Sequence, residues 1–226
     1  LVVVGGYGIN SIVNMMLFLS ITGWLTSLLI PDNEAQDPNI AVRKNFLAST
    51  QDQIDSVAAN PSIWLPIIGI SWFWVIGTIH MTNLINFVQF DLHYNSWVYT
   101  FLNGAFTLGI GTGSLICNKL LKGEVNTRLV PFALLSTSLF GFHLYSGSYP
   151  PGTGEELQTL SFFFTQLNSY RIIIDIFFLS VSAGIYVVPL YAILQKNSNL
   201  KECARTIAAA NVVSALIMIG TTIITF

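Results

Sequence analysis

The chain has 226 residues, of which 53% are hydrophobic and only 9% charged, against about a quarter charged in an ordinary soluble domain. With a mean hydropathy of +0.64, this composition excludes a soluble globular protein and predicts an all-α integral membrane protein. The net charge of −2 and the lack of a basic tract argue against nucleic-acid binding. Cys117 and Cys203 are too far apart in sequence for a disulfide framework or a metal site.

Six apolar segments are long enough to cross a membrane, which takes about 20 residues at a rise of 1.5 Å each. They cover residues 9–30, 63–90, 96–120, 129–146, 170–195 and 204–226. Because the chain starts at Leu1 with no Met and no basic segment, we interpret the first run as a transmembrane helix of a longer protein rather than a signal peptide. We therefore predict one span in residues 1–30, a polar loop at 31–62 with a short surface helix around DSVAAN, and five spans in 63–226.

The basic residues predict the orientation of these spans. Eight of the nine lie in the first, third and fifth loops: Arg43, Lys44, Lys119, Lys122, Arg128, Lys196, Lys201 and Arg205. Because cytoplasmic loops are enriched in Lys and Arg, these three loops, including the central 31–62 loop, are predicted to be cytoplasmic. The loops with Asp91, Glu155 and Glu156 then face outward, and the ninth basic residue, Arg171, lies alone at the outer end of the fifth span.

The second span carries a polar stripe. Five side chains fall within an arc of about 80° on a helical wheel, with His80 on the opposite side: Ser71, Thr78, Thr82, Asn86 and Gln89. Such a stripe is expected to avoid lipid. It predicts either the lining of a polar cavity or hydrogen bonds between packed helices, and both interpretations are compatible.

The fifth span carries two charges on one face. An arc of about 60° contains five residues: Arg171, Asp175, Ser182, Tyr186 and Pro189. Arg171 either holds a phosphate group, with Asp175 as counter-charge or as an ion or proton site, or extends to the interface and neutralises Asp175 one turn deeper. Pro189 removes a backbone hydrogen bond and Gly184 loosens the preceding turn, so the two predict a hinge.

The glycines of GAFTLGIGTGS in the third span superficially resemble a nucleotide-binding motif. They lie inside an apolar span with no preceding strand and no acidic ribose ligand, so we reject that interpretation. Gly104, Gly111 and Ser114 are instead expected to form a small surface for close helix packing.

Two histidines, His80 and His143, lie within apolar segments. Neither has a second ligand three or four residues away, so the sequence predicts no metal and no cofactor. No set of nucleophile, base and orienting group is present, and we therefore predict that the chain is not an enzyme.

Several short strings of the chain point to one family. They are GISWFWVIG, GIGTGSLICNKLLKGEV, LVPF, YVVPLYAILQ and RTIAAANVVSALIM. In this order and spacing they resemble the bacterial lysophospholipid transporter branch of the major facilitator superfamily, which includes forms fused to acyltransferase and acyl-acyl carrier protein synthetase domains. The resemblance covers nearly the whole chain, most specifically from Trp64 onward.

The resemblance implies helices six to eleven of a twelve-helix transporter in the bacterial inner membrane, with 31–62 joining its two halves. It implies that lysophospholipid is the substrate, that membrane lipids and the other helices of the transporter are partners, and that a fused acyltransferase is possible. The second and fifth spans correspond to cavity-lining helices of the superfamily. Lys119, Lys122, Gly123 and Arg128 occupy the place of its gating loop, although Asn118 replaces the usual acidic residue.

Two alternatives stay open. One is a proton-coupled transporter of other small amphiphiles or drugs that uses Asp175 as its coupling carboxylate. The other is a membrane anchor for a lipid acyltransferase that does not itself transport.

Overall fold

The computed structural model describes residues 9–31, 45–147, 156–199 and 202–225. The chain divides into two compact units, Leu1–Ala41 and Val42–Phe226. The first contains helix α1 (Ile9–Ser27), and the second contains the other helices: α2 (Phe46–Ala58), α3 (Pro61–Asn86), α4 (Ser96–Leu121), α5 (Val130–Tyr145), α6 (Leu160–Thr165), α7 (Leu167–Asn197) and α8 (Cys203–Thr225). The described residues contain no strand, which confirms the all-α class.

Four helical segments in the described residues are long and apolar enough to cross a membrane: Pro61–Asp91, Ser96–Leu121, Leu167–Asn197 and Cys203–Ile224. The apolar helices Val13–Ser27 and Val130–Tyr145 are shorter. The 16 residues of α5 extend about 24 Å, against a hydrocarbon core about 30 Å thick. The membrane character is therefore confirmed, whereas crossing by α1 and α5, and with it a total of six spans, stays a prediction.

Large apolar side chains face outward from the second unit. Leu108 and Leu115 on α4 and Phe132 and Leu135 on α5 are all at least 70% exposed. On a soluble protein, an apolar surface of this kind would mark an association site. In a membrane, the same surface is suited to contact with lipid chains. The outer surface thus agrees with a membrane environment.

Asparagine side chains begin three of the helices. Asn45 accepts a hydrogen bond from the Ala48 N–H at the start of α2, Asn60 caps α3 just before Pro61, and Asn95 caps α4. An Asn at this position satisfies an N–H group left unpaired by the helix, and Pro is favoured at the first helical position. The predicted surface helix around DSVAAN is confirmed as α2, although it begins earlier, at Phe46.

The loops at the ends of α3 and α5 are joined. A π-helical turn, Phe87–Asp91, follows α3. Beyond it, the Asn95 N–H donates to the Gln158 carbonyl and the Gln158 N–H donates to the His93 carbonyl, both at 2.9 Å. This bridge fixes the connection between α3 and α4 to the one that precedes α6, a contact that the sequence did not indicate.

Helix α7 is the centre of the second unit. In its most apolar window 67% of the residues are buried, compared with 22–28% in the other three candidate spans. It packs against α3, α4 and α5, while α8 packs mainly on α3. The polar face of α7 must therefore find its partners on neighbouring helices.

Glycines bring α4 and α7 into close contact. A methyl group placed on Gly109 would overlap the Ser180 side chain, and one on Gly113 would overlap the Val181 carbonyl. From the other side, a methyl group on Gly184 would overlap the Ile110 carbonyl. The prediction that small residues of α4 allow close helix packing is therefore confirmed.

The predicted packing face of α4 was wrong in part. Gly104 and Gly111 have open space where a side chain would be. Gly111 lies about 200° around the helix from Gly109, so the two cannot share a contact face. Only Ser114 of the predicted set approaches α7, where its N–H lies near Gly184.

We predict that Gly113→Ala destabilises the protein by about 1–3 kcal/mol, because the added methyl group forces α4 away from α7. The matched Gly111→Ala change meets no neighbour and should be neutral or stabilising, because Ala favours a helix over Gly by up to about 1 kcal/mol. Melting temperatures of both detergent-solubilised variants test this. Equal melting temperatures would show that the α4–α7 contact is not close.

Candidate functional site

A cavity of about 350 Å³ lies inside the second unit, between α3, α4, α5, α7 and α8. We call it the central cavity. Its lining residues are Phe73, Trp74, Ile76, Gly77, Thr78, Met81, Thr82, Phe106, Ile110, Leu134, Thr137, Leu179, Ala183, Tyr186 and Met218.

The polar groups of the central cavity are hydroxyls. The Thr78 hydroxyl donates to the Trp74 carbonyl at 2.9 Å, and the Tyr186 hydroxyl donates to the Gly69 carbonyl at 2.9 Å. Their hydrogens are therefore committed within the protein, and their oxygens remain as acceptors. No charged side chain is among the lining residues in the described part of the chain, so the cavity suits an apolar chain with few hydrogen-bond donors.

The polar stripe of α3 serves different purposes at different depths. Thr78 and Thr82 line the central cavity. Ser71 is fully buried and its hydroxyl lies 2.9 Å from that of Ser214 on α8, which is a helix-packing contact. Asn86 lines a second cavity, and the Gln89 amide donates to Ser96 at 3.4 Å. The stripe is about 27 Å long, so it extends past a single cavity.

A charged cluster joins α5 to α7. Asp175 is 1% exposed, and its two carboxylate oxygens lie 2.7 and 2.9 Å from Nδ1 of His143. Arg171 approaches the same carboxylate, with Nε 3.7 Å from Oδ2, and its guanidinium donates to the backbone carbonyl of His143. Arg171 and Asp175 of α7 therefore both contact one residue of α5.

This cluster explains how a carboxylate is tolerated inside an apolar helix. A buried carboxylate without partners would be very costly. An ionised carboxylate only accepts hydrogen bonds, so its contact with His143 places the ring hydrogen on Nδ1. The geometry favours neutralisation of Asp175 by Arg171, and it leaves only part of the guanidinium for a phosphate, because one of its NH₂ groups is already committed to His143.

Of the other predicted residues of α7, Ser182 and Tyr186 form polar contacts, whereas Gly184 and Pro189 have no polar side chain and belong to the predicted hinge. Ser182 donates to Ser136 on α5 at 2.7 Å, and Tyr186 lines the central cavity. Gly184 is at the close contact with α4, and Pro189 is buried in a helix that runs without interruption from Leu167 to Asn197. The hinge at these two residues therefore stays a prediction, but Gly184 has a packing role that the sequence did not reveal.

The loop after α4 forms a tight turn at its predicted basic residues. Lys122 and Gly123 both adopt positive φ, at 51° and 77°, and the Gly123 N–H donates to the Asn118 carbonyl at 3.4 Å. Lys119, Lys122 and Arg128 are exposed, and no ion pair joins them to an acidic group in the described residues. Their gating role stays a prediction, while a basic anchor at the membrane surface fits their exposure. Arg43, Lys44, Lys201 and Glu155 lie outside the described residues.

A second cavity of about 670 Å³ lies near the C-terminal ends of α3 and α5. We call it the outer cavity. It is lined by Ile79, His80, Asn83, Leu84, Asn86, Phe87, Phe90, Asp91, Gly141, Leu144, Tyr145 and Gly147. Apart from Asn86, none of these was among the predicted site residues.

His80 and His143 are the site residues that sequence reasoning missed. His80 stacks on Phe106 with ring centroids 4.3 Å apart, and its buried Nε2 has no hydrogen-bond partner among the residues that the structure describes. His143 is 32 residues from Asp175, too far for a local pattern to reveal. One signal was available: a buried Asp175 needs a partner, and His143 is a titratable side chain at the same end of the neighbouring span.

Comparison with known protein families, with curated proteins and with solved structures gives no significant match for this chain.

We predict that His143 and Asp175 are energetically coupled by about 1–3 kcal/mol, as residues in one hydrogen-bonded network are. The measurement is a double-mutant cycle on thermal stability with His143→Ala and Asp175→Asn. His80→Ala combined with Asp175→Asn is the control and should be additive, because His80 stacks on Phe106 instead. Additivity in both cycles would contradict the contact.

Proposed function

We propose that this chain is part of a secondary transporter that moves lysophospholipid across a bacterial inner membrane by alternating access. The central cavity carries the proposal. It is lined by helices that are mostly apolar. Both α3 and α7, which correspond to cavity-lining helices of the major facilitator superfamily in the sequence resemblance, contribute to it. The resemblance supplies the substrate class and the twelve-helix architecture.

The chemistry of the central cavity agrees with such a substrate. Its volume of about 350 Å³ lies within the range of small-molecule sites. Phe73, Leu134 and Met218 offer apolar surface for an acyl chain, and Thr82 and Tyr186 place hydroxyl oxygens beside it. A single-chain lipid needs this combination of apolar surface and sparse acceptors near its glycerol.

The basic loops set the proposed orientation. Lys119, Lys122 and Arg128 at one end of the α4–α5 pair would face the cytoplasm. The opposite end, with the outer cavity and the His143–Asp175 contact, would then face outward. In this arrangement the central loop 31–62 is cytoplasmic, and a fused acyltransferase, where present, would act on lysophospholipid delivered to that side.

A second candidate function is proton-coupled transport of other amphiphiles, and the contact of the buried Asp175 with the half-exposed His143 is the observation that favours it. A carboxylate and an imidazole at 2.7 Å are able to exchange a proton when the local arrangement changes. A membrane anchor without transport has no comparable support, since an anchor does not require a cavity between its helices.

We predict that Thr78→Phe reduces lysophospholipid uptake by at least about tenfold, because the ring takes up space that the acyl chain would occupy. Uptake is measured in spheroplasts that express the complete protein and is normalised to its abundance in the membrane. Thr107→Phe is the control, because Thr107 is exposed on α4 and does not line the cavity. Equal uptake by Thr78→Phe and the control would exclude the central cavity as the substrate site.

Proton coupling makes a separate prediction. If Asp175 is the coupling carboxylate, collapse of the proton gradient abolishes uptake by the unchanged protein, and Asp175→Asn reduces uptake to the same level while its abundance is retained. Ser182→Ala is a matched change on the same face of α7 and should remain sensitive to the gradient. Uptake that is indifferent to the gradient would remove this candidate and leave the lysophospholipid transporter in place.

A further inference from the structure

We propose that side chains of neighbouring helices hold the two backbone carbonyls that internal prolines leave without a donor in α3 and α7. Proline has no N–H, so a proline inside a helix frees the carbonyl four residues before it. Pro66 therefore frees the carbonyl of Ser62 in α3. In the same way, Pro189 frees the carbonyl of Ile185 in α7. In a membrane, such a carbonyl needs a donor from elsewhere in the protein.

Each freed carbonyl has a donor on another helix. The side-chain amide of Asn197, at the end of α7, donates to the Ser62 carbonyl of α3 at 3.0 Å. The thiol of Cys117 on α4 donates to the Ile185 carbonyl of α7 at 3.7 Å. A thiol is a weak donor, but Cys117 is fully buried, so water does not supply a stronger one there. The same arrangement at both prolines indicates that Asn197 and Cys117 serve to satisfy these carbonyls.

The surface of α4 changes in step with the backbone of α7. Gly113 of α4 lies against the Val181 carbonyl, which keeps the helical N–H of Ile185 as its donor. One turn further along both helices, Cys117 meets the Ile185 carbonyl. Where the helix supplies its own donor, α4 presents a glycine, and where Pro189 removes that donor, α4 presents a thiol. The contact face of α4 therefore matches the hydrogen-bonding needs of α7.

The pair on α7 also borders the central cavity. Tyr186 follows Ile185 in the chain, lines that cavity and donates to the Gly69 carbonyl of α3. The contact with Cys117 therefore fixes the backbone that presents Tyr186 to a ligand. Cys117 and Asn197 are positioning residues, since neither is among the residues that line the cavity in the described ranges. This consequence for ligand binding rests on the proposed transport of lysophospholipid, whereas the pairing of the carbonyls does not.

The pairing at Pro189 is tested by the thermal stability of the complete protein in detergent. Cys117→Ala should lower the melting temperature by about 2–4 °C, because the Ile185 carbonyl loses its donor. Cys117→Ser should restore it, because a hydroxyl is also a donor. In a Pro189→Ala background the new N–H supplies the missing donor, so the two variants at Cys117 should then melt within about 1 °C of each other.

Two results would contradict the pairing. If Cys117 were a purely apolar contact, Cys117→Ser would melt below Cys117→Ala, because a hydroxyl is the costlier group to bury. A serine at this position is also able to donate to the carbonyl one turn earlier in α4, and that bond would be indifferent to Pro189. A difference between the two variants that survives in the Pro189→Ala background would therefore overturn the proposal.

Infrared spectroscopy tests the same pair without a change at Cys117. A thiol that donates a weak hydrogen bond has a lower S–H stretching frequency than a free thiol. The band of Cys117 is identified by its loss in Cys117→Ser. It should move to higher frequency in Pro189→Ala, because the Ile185 carbonyl then has a helical N–H donor. A band at the same frequency in both proteins would overturn the pairing.

The pairing at Pro66 has its own measurement. Asn197→Ala should lower the melting temperature by about 2 °C in the otherwise unchanged protein, and it should have no effect in Pro66→Ala, where the Ser62 carbonyl regains a helical donor. Gln195→Ala removes an exposed amide from the same end of α7 and should have no effect in either background. Equal effects of Asn197→Ala in both backgrounds would overturn this pair.

Uptake distinguishes the inference from the proposed function. In spheroplasts that express the complete protein, Cys117→Ala should raise the KM for lysophospholipid about threefold with little change in maximal rate, and Cys117→Ser should return the KM to its original value. A KM that Cys117→Ala leaves unchanged would overturn the positioning role. Absence of uptake by the unchanged protein would overturn the proposed function alone, since the melting temperatures and the infrared band still decide the pairing.

Discussion

The arrangement of the helices depends on α7 and its need for polar partners. This helix is buried more than any other candidate span, yet it carries a carboxylate, serines and a tyrosine. In an apolar environment each such group must find a partner, either within its own helix or on a neighbouring one. Asp175 and Ser182 find theirs on α5, and Tyr186 and Asn197 find theirs on α3. The polar face of α7 thus determines which helices surround it.

The same helix also explains where the central cavity forms. On one side, Gly109 and Gly113 let the backbone of α4 approach α7 closely. On another side, the Tyr186 hydroxyl at the end of its long side chain donates a hydrogen bond to the Gly69 carbonyl of α3. Close contact on one side and a long side chain on the other leave space beside Ala183, where α7 offers only a methyl group. The cavity is therefore a consequence of unequal packing around one helix.

Sequence reasoning identified what depends on local pattern. Apolar length located α3, α4, α5, α7 and α8 to within a few residues, and helical periodicity placed Arg171 and Asp175 on one face. The short helix α6 was not predicted. It did not give the contact of Asp175 with His143, because 32 residues separate them and only tertiary packing brings them together. It chose the wrong glycines of α4, since glycines lie on more than one face of that helix and the packed face depends on the register with α7. The π-helical turn, and with it the outer cavity, depends on a backbone distortion that periodicity does not reveal.

The separation of charge from the central cavity constrains any mechanism of coupling. Asp175 is enclosed between α5 and α7 at 1% exposure, and neither Asp175 nor Arg171 is among the residues that line the central or the outer cavity. A ligand in the central cavity therefore has no direct contact with the carboxylate. The contact of Asp175 with His143 joins α7 to α5. Since α5 also supplies Leu134 and Thr137 to the central cavity, one helix links the charged cluster to the lining of the cavity.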